Sequence, residues 1–165
     1  MVKIIVITLL AIVLVIPGYL WGLAYLSRSG QATGLVEGKL SACPKSPNCV
    51  STEAGTDTQH HMQAFNIPKA SVEQAGRNIM KHLVSVIQEM GGDIKTENQD
   101  YIAATFQSGF FGFVDDLECR IDMQAGQIQS RSASRVGTSD LGVNRKRVER
   151  LQHLLQTALQ DNTDV

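Results

Sequence analysis

FVDDLECRIDMQAGQIQSRSAS, residues Phe113 to Ser134, decides the fold. Phe113, Leu117, Cys119, Ile121 and Met123 alternate with Val114, Asp116, Glu118, Arg120 and Asp122, the period-two pattern of a half-buried strand. Gln124-Ala125-Gly126 reads as a hairpin turn with glycine in the left-handed position. A second strand then runs from Gln127 to about Ser134. With Met123 opposite Gly126, Ile121 faces Ile128 and Glu118 faces Arg131. Ser130, Ser132 and Ser134 then share the core face with Ile128, so their hydroxyls need partners or line a pocket. A slip of one residue would set Arg131 beside Cys119 on the apolar face, which is costly.

Upstream, Asp93 to Glu97 is a short strand. Asp100 to Ser108 is a longer one, with Ile102, Ala104 and Phe106 on one face. The best helix spans Ser71 to Met90, where Val72, Ala75, Ile79, Leu83, Val86, Ile87 and Met90 recur at three- and four-residue spacing. Ser71 with Gln74 resembles a capping box, and Gly91-Gly92 ends the helix. Downstream, Val148, Leu151, Leu154, Leu155 and Leu159 mark a final amphipathic helix. A further strand is placed near Met62 to Ile67. The expected fold class is α+β: an antiparallel sheet of about five strands backed by two helices, in the order strand, helix, four strands, helix.

Beyond the hairpin, Arg131 to Arg147 reads RSASRVGTSDLGVNRKR. Arg131, Ser132, Ser134, Arg135, Ser139, Asp140, Asn144, Arg145 and Arg147 are the candidate ligand-binding residues. Arginines and loop amides near a helix start suit an anionic group on a small molecule or lipid headgroup. The charge pattern itself favours an internal network over an external anion, because an acidic block (Glu89 to Asp122) precedes this basic one. Asp140, Asp115 and Asp116 are its expected partners. No G-x-S-x-G turn, Walker loop or nucleotide glycine signature occurs. A hydrolase would need Ser132 or Ser139 to meet a base such as His82 or His153. Asp115 and Asp116 point to opposite strand faces and make a poor acid/base pair. No cofactor is implied. A formal net charge of -1 gives no field for nucleic acid.

At the other end, Ile4 to Leu26 carries no charged side chain. As a helix it would be roughly 34 Å long, against a hydrocarbon core of about 30 Å. Tyr19, Trp21 and Tyr25 sit where an aromatic belt would lie. The expectation is an uncleaved single-pass anchor over residues 1–27, ahead of a cleaved signal peptide and of a lipoprotein signal at Leu40-Ser41-Ala42-Cys43. Residues 28–39 then form a polar linker, 40–160 one domain and 161–165 a polar tail. The soluble part is expected outside the cytoplasm.

Cys43-Pro44-Lys45-Ser46-Pro47-Asn48-Cys49 supports that placement. A Cys43–Cys49 disulfide would close the loop in an oxidising compartment. Zinc is the rival, but no clear second ligand pair accompanies the thiols, so no metal site is expected. His60-His61 reads as a solvated loop pair, and Cys119 as a small buried core residue.

Three separated motifs carry a resemblance: Leu40 to Ser51 (LSACPKSPNCVS), Phe113 to Asp116 (FVDD) and Arg131 to Arg145 (RSASRVGTSDLGVNR). In this order they resemble the domain-of-unknown-function family 1499, over about Leu40 to Leu159. The resemblance implies a small, often membrane-associated domain without established activity, and no catalytic residues to carry over. The expected function is a non-catalytic, membrane-anchored, extracytoplasmic binding module for an anionic ligand or headgroup. The alternative is a scaffold or assembly factor with a membrane-protein partner.

Overall fold

Ile121 stands opposite Ile128 and Glu118 opposite Arg131, the register that the alternation and the turn demand. Gly126 takes the left-handed conformation of that turn, with φ 63°. The computed structural model describes residues 2–68 and 76–160, of which 2, 5–12, 76 and 77 by backbone alone. The elements in chain order are α1 (Val2–Arg28), β1 (Leu35–Val36), β2 (Lys39–Leu40), β3 (Cys49–Ser51), β4 (Phe65–Asn66), α2 (Gly76–Glu89), β5 (Asp93–Glu97), β6 (Tyr101–Gln107), β7 (Val114–Asp122), β8 (Gln127–Ser134) and α3 (Val143–Gln160). The proposed cap at Ser71 and Gln74, with Val72 and Ala75, lies outside the described residues, as does the 161–165 tail.

The main sheet has six strands in the order β3-β8-β7-β6-β5, with β4 also paired to β8. The fold is α+β, with one strand more than expected. That strand is β3, the end of the cysteine loop, whose Cys49, Val50 and Ser51 pair with Ala133, Ser132 and Arg131. Three residues give too short a period-two pattern to be read as a strand.

One face of the sheet carries the core. Ile79, Leu83 and Ile87 of α2 and Val148, Leu151 and Leu155 of α3 pack on Ile102, Leu117, Cys119 and Ile128. Each such aliphatic side chain gains roughly 1.5–3 kcal/mol on burial. Cys119 belongs to this core, and burial pushes its thiol up to about 12.

The expected transmembrane helix is corrected. Among the described residues, no helix is long and apolar enough to cross a membrane. Pro17 stands inside α1, where it removes a helix hydrogen bond. The end of α1 is also part of the domain. Ala24 and Ser27 are buried. Ser27 Oγ donates to the Ala24 carbonyl (2.7 Å) and accepts the Val114 N–H (3.1 Å).

Residues 28–39, read as a linker, cross the sheet's other face. There the Thr33 hydroxyl (3.1 Å) and the Gly34 N–H (2.7 Å) both donate to Glu118. Leu40 is buried beside Tyr101 and Ala103, and its N–H donates to Glu53 (3.0 Å).

Candidate functional site

The nine polar residues of the Arg131–Arg147 region do not form one site. Strand alternation sends Arg131 to the helix-free face and Ser132 and Ser134 to the helix-covered one. Arg135, just past β8, joins Arg131 on the helix-free side. Arg131 donates to Glu118 at 2.9 Å and Arg135 grips Asp116 through two bonds of 2.8 and 2.7 Å. On the opposite side, Arg147 donates to Asp115 at 2.8 Å and lies 4.7 Å from the Phe106 ring centroid. The acidic and basic blocks therefore neutralise each other across neighbouring strands and into α3.

Between β8 and α3 a buried network consumes the serines. The Ser132 hydroxyl donates to Asn144 Oδ1 (2.6 Å) and accepts from Arg147 (2.9 Å). Asn144 Nδ2 donates to the Ser134 hydroxyl and to the Asn48 carbonyl, each at 3.0 Å. Asn48 in turn donates to the Gly137 carbonyl (2.8 Å). The Cys43–Cys49 bond, which the structure contains, closes the loop that presents Asn48. Asp140 caps α3, accepting the Gly142 (3.0 Å) and Asn144 (2.7 Å) N–H groups. Ser139 is exposed. Arg145 reaches the carbonyls of Gln59 and His61. The hydrogen bonds of Ser132 run to Asn144, Arg147 and the Asp116 carbonyl, not to His82 or His153.

His60 departs from the solvated loop expected of it. It is buried, with Nδ1 2.7 Å from Asp57 Oδ2 and Nε2 3.1 Å from the Ser46 carbonyl. It thereby joins the 57–61 turn to the cysteine loop. Its hydrogen bond holds the Asp57 carboxyl below the usual carboxylate range. A depressed folded-state value gives stability that is complete above the unfolded value of 3.8 and is lost as pH falls through the lower folded one. Acidification from pH 5 to below this range is therefore expected to loosen the turn, seen as lower protection of the His60 and His61 amides relative to their intrinsic exchange at each pH. Unchanged exchange in Asp57→Asn would show that the pair does not hold it.

A hollow of about 690 Å³ opens on the helix-free face, between residues 30–34 and strands β5 to β7. Ala103 and Val114 form part of its floor, Thr105 and Gln107 supply polar groups, and Arg28 and Arg135 reach it from the α1 side. The Tyr101 hydroxyl also lines this side and donates to Glu118 (2.8 Å). Burial, then that carboxylate, push its phenol above the ordinary range. A second, more apolar hollow of about 410 Å³ lies between Leu20 and Leu23 of α1 and the loop that carries Ser139 and Asp140.

The first hollow escaped sequence reading. Its signal was present: Tyr101, Ala103, Thr105 and Gln107 alternate with the core-facing residues of β6, and small or polar residues there leave room under a covering segment. Residues 28–39, taken as a linker, are that cover.

An α+β domain with a disulfide-closed loop, an ion-paired sheet and a hollow under a crossing segment is the class these features define. The chain belongs to the family described as protein of unknown function (DUF1499), whose model matches residues 39–155. No curated protein gives a significant match.

Proposed function

We propose that the chain is a non-catalytic binding module that takes a small polar ligand into the hollow above the helix-free sheet face. The observation that carries this is the hollow itself: its size falls within the roughly 300–1,000 Å³ of ligand sites, and its polar groups converge over a small apolar floor. The arginines Arg131, Arg135 and Arg147 tie the chain to itself instead of forming a separate anion site, since each is held by a carboxylate, and Arg135 lines the hollow. The Cys43–Cys49 bond supports an oxidising compartment outside the cytoplasm. A library of small polar molecules screened against the ¹⁵N-labelled full chain should shift resonances of Thr105, Gln107 and Gly112 together. Shifts scattered over exposed loops and absent from these three would sink the module.

A second reading, a scaffold for a protein complex, is favoured by one observation. Phe110 and Leu141 are 86% and 90% exposed, and Leu141 sits at a left-handed φ of 54°. In a scaffold these two apolar tips would be the contact points. Under this reading Phe110→Ser with Leu141→Ser abolishes co-purification of a stoichiometric partner. Under the binding-module reading it leaves the ligand-induced shifts intact.

A further inference from the structure

The charged residues around the hollow pair off, with one exception. Asp116 takes Arg135, and Asp93 takes Lys95. Arg28 instead donates to the carbonyls of Phe111 (3.2 Å) and Gly112 (3.4 Å) and meets no carboxylate among the described residues. A guanidinium carries five N–H donors in a planar fork, and two long bonds to carbonyls leave most of that fork open. Arg28 ends α1, where the helix dipole already favours a cation. Yet its side chain is carried across to the 111–112 turn. A Cβ on Gly112 would lie 2.3 Å from Arg28 Nη2, and Gly112 itself holds a φ of 73°. The left-handed Gly112 brings the backbone of the turn against this guanidinium at the edge of the hollow.

We propose that Arg28 receives the acid group of a small organic monoanion, a carboxylate, whose uncharged remainder lies against Thr105, Gln107 and the Ala103–Val114 floor. This rests on the hollow being a ligand site. One unmatched positive charge selects one negative charge. A dianion would bring a surplus negative charge towards Asp116 and Asp93, which also line the hollow, and like charges there are repelled. Planar carboxylate and planar guanidinium also match bidentately.

The test uses the ¹⁵N-labelled full chain and reads the Arg28 Nε–H and Gly112 amide signals. Acetate, sulfate and neutral acetamide are titrated at constant ionic strength. Acetate is expected to shift both signals saturably, and sulfate to bind several-fold more weakly. Arg28→Gln is expected to weaken acetate by at least about ten-fold, the size of one charge-assisted hydrogen bond, and Arg28→Lys to restore part of it. Sulfate binding as well as acetate at Arg28 overturns the monoanion. So does acetate affinity unchanged in a folded Arg28→Gln chain. Acetamide shifting Thr105 and Gln107 equally in wild type and Arg28→Gln, with acetate no better, sinks the anion while the hollow survives as a binding site. If no probe moves any resonance of the hollow, both fall together.

Discussion

Glu118→Ala is expected to cost about 3–5 kcal/mol, the scale for breaking one partner out of a buried ion pair. The carboxylate is fully buried and accepts from Tyr101, Arg131, Thr33 and Gly34 at 2.8, 2.9, 3.1 and 2.7 Å. Its loss strands a buried guanidinium whose Nε already lacks a partner among the described residues. It also releases the segment that covers the hollow. Replacing both charges, Glu118→Leu with Arg131→Met, removes the stranded cation while still stranding the Tyr101, Thr33 and Gly34 donors, and is expected to cost less than Glu118→Ala. Guanidinium chloride unfolding of the two variants checks this. A loss below about 1 kcal/mol for Glu118→Ala would mean that the pair behaves like a solvated one.

The second large effect is placed at Asn144. Asn144→Ala removes the acceptor used by Ser132 and Arg147 and the donor used by Ser134 and the Asn48 carbonyl. Stranded buried polar groups cost roughly 1–3 kcal/mol each. Allowing for partial relaxation, a loss of about 3 kcal/mol is expected. Ser139→Ala, five residues earlier in a stretch of similar composition, is expected to stay within about 0.5 kcal/mol. Its side chain is exposed and makes a single 3.5 Å contact with the Leu141 N–H. Equal losses at the two positions, read by thermal or denaturant unfolding, would refute the division between a buried network and a solvated loop.

These two positions show how far sequence reading reaches. The β7–β8 register followed from period-two alternation and one glycine, because a slip would bury Arg131 among apolar side chains. The same alternation separates Arg131 from Ser132, so a contiguous candidate site across them was already inconsistent with the register derived for them. Nearness in sequence was mistaken for nearness in space. β3 and the hollow lay beyond reach for a different reason: both depend on contacts between segments about 80 residues apart, such as Cys49 with Ala133 and Thr33 with Glu118. Pairing of that range leaves no local period. The N-terminal helix was legible as a helix. Its buried end at Ala24 and Ser27 gives no sign in composition. The internal pairing of the acidic and basic blocks, which the charge pattern favours, is present for Arg131, Arg135 and Arg147.

Asn48 serves two segments at once: its carbonyl takes the Asn144 amide and the Ser134 N–H, and its side chain holds the Gly137 carbonyl. The cysteine loop, the end of β8 and the first turn of α3 are thus interlocked modules. Grafting any one of them from a divergent homologue would import mismatched donors and acceptors. A viable chimera has to exchange all three as a single cassette.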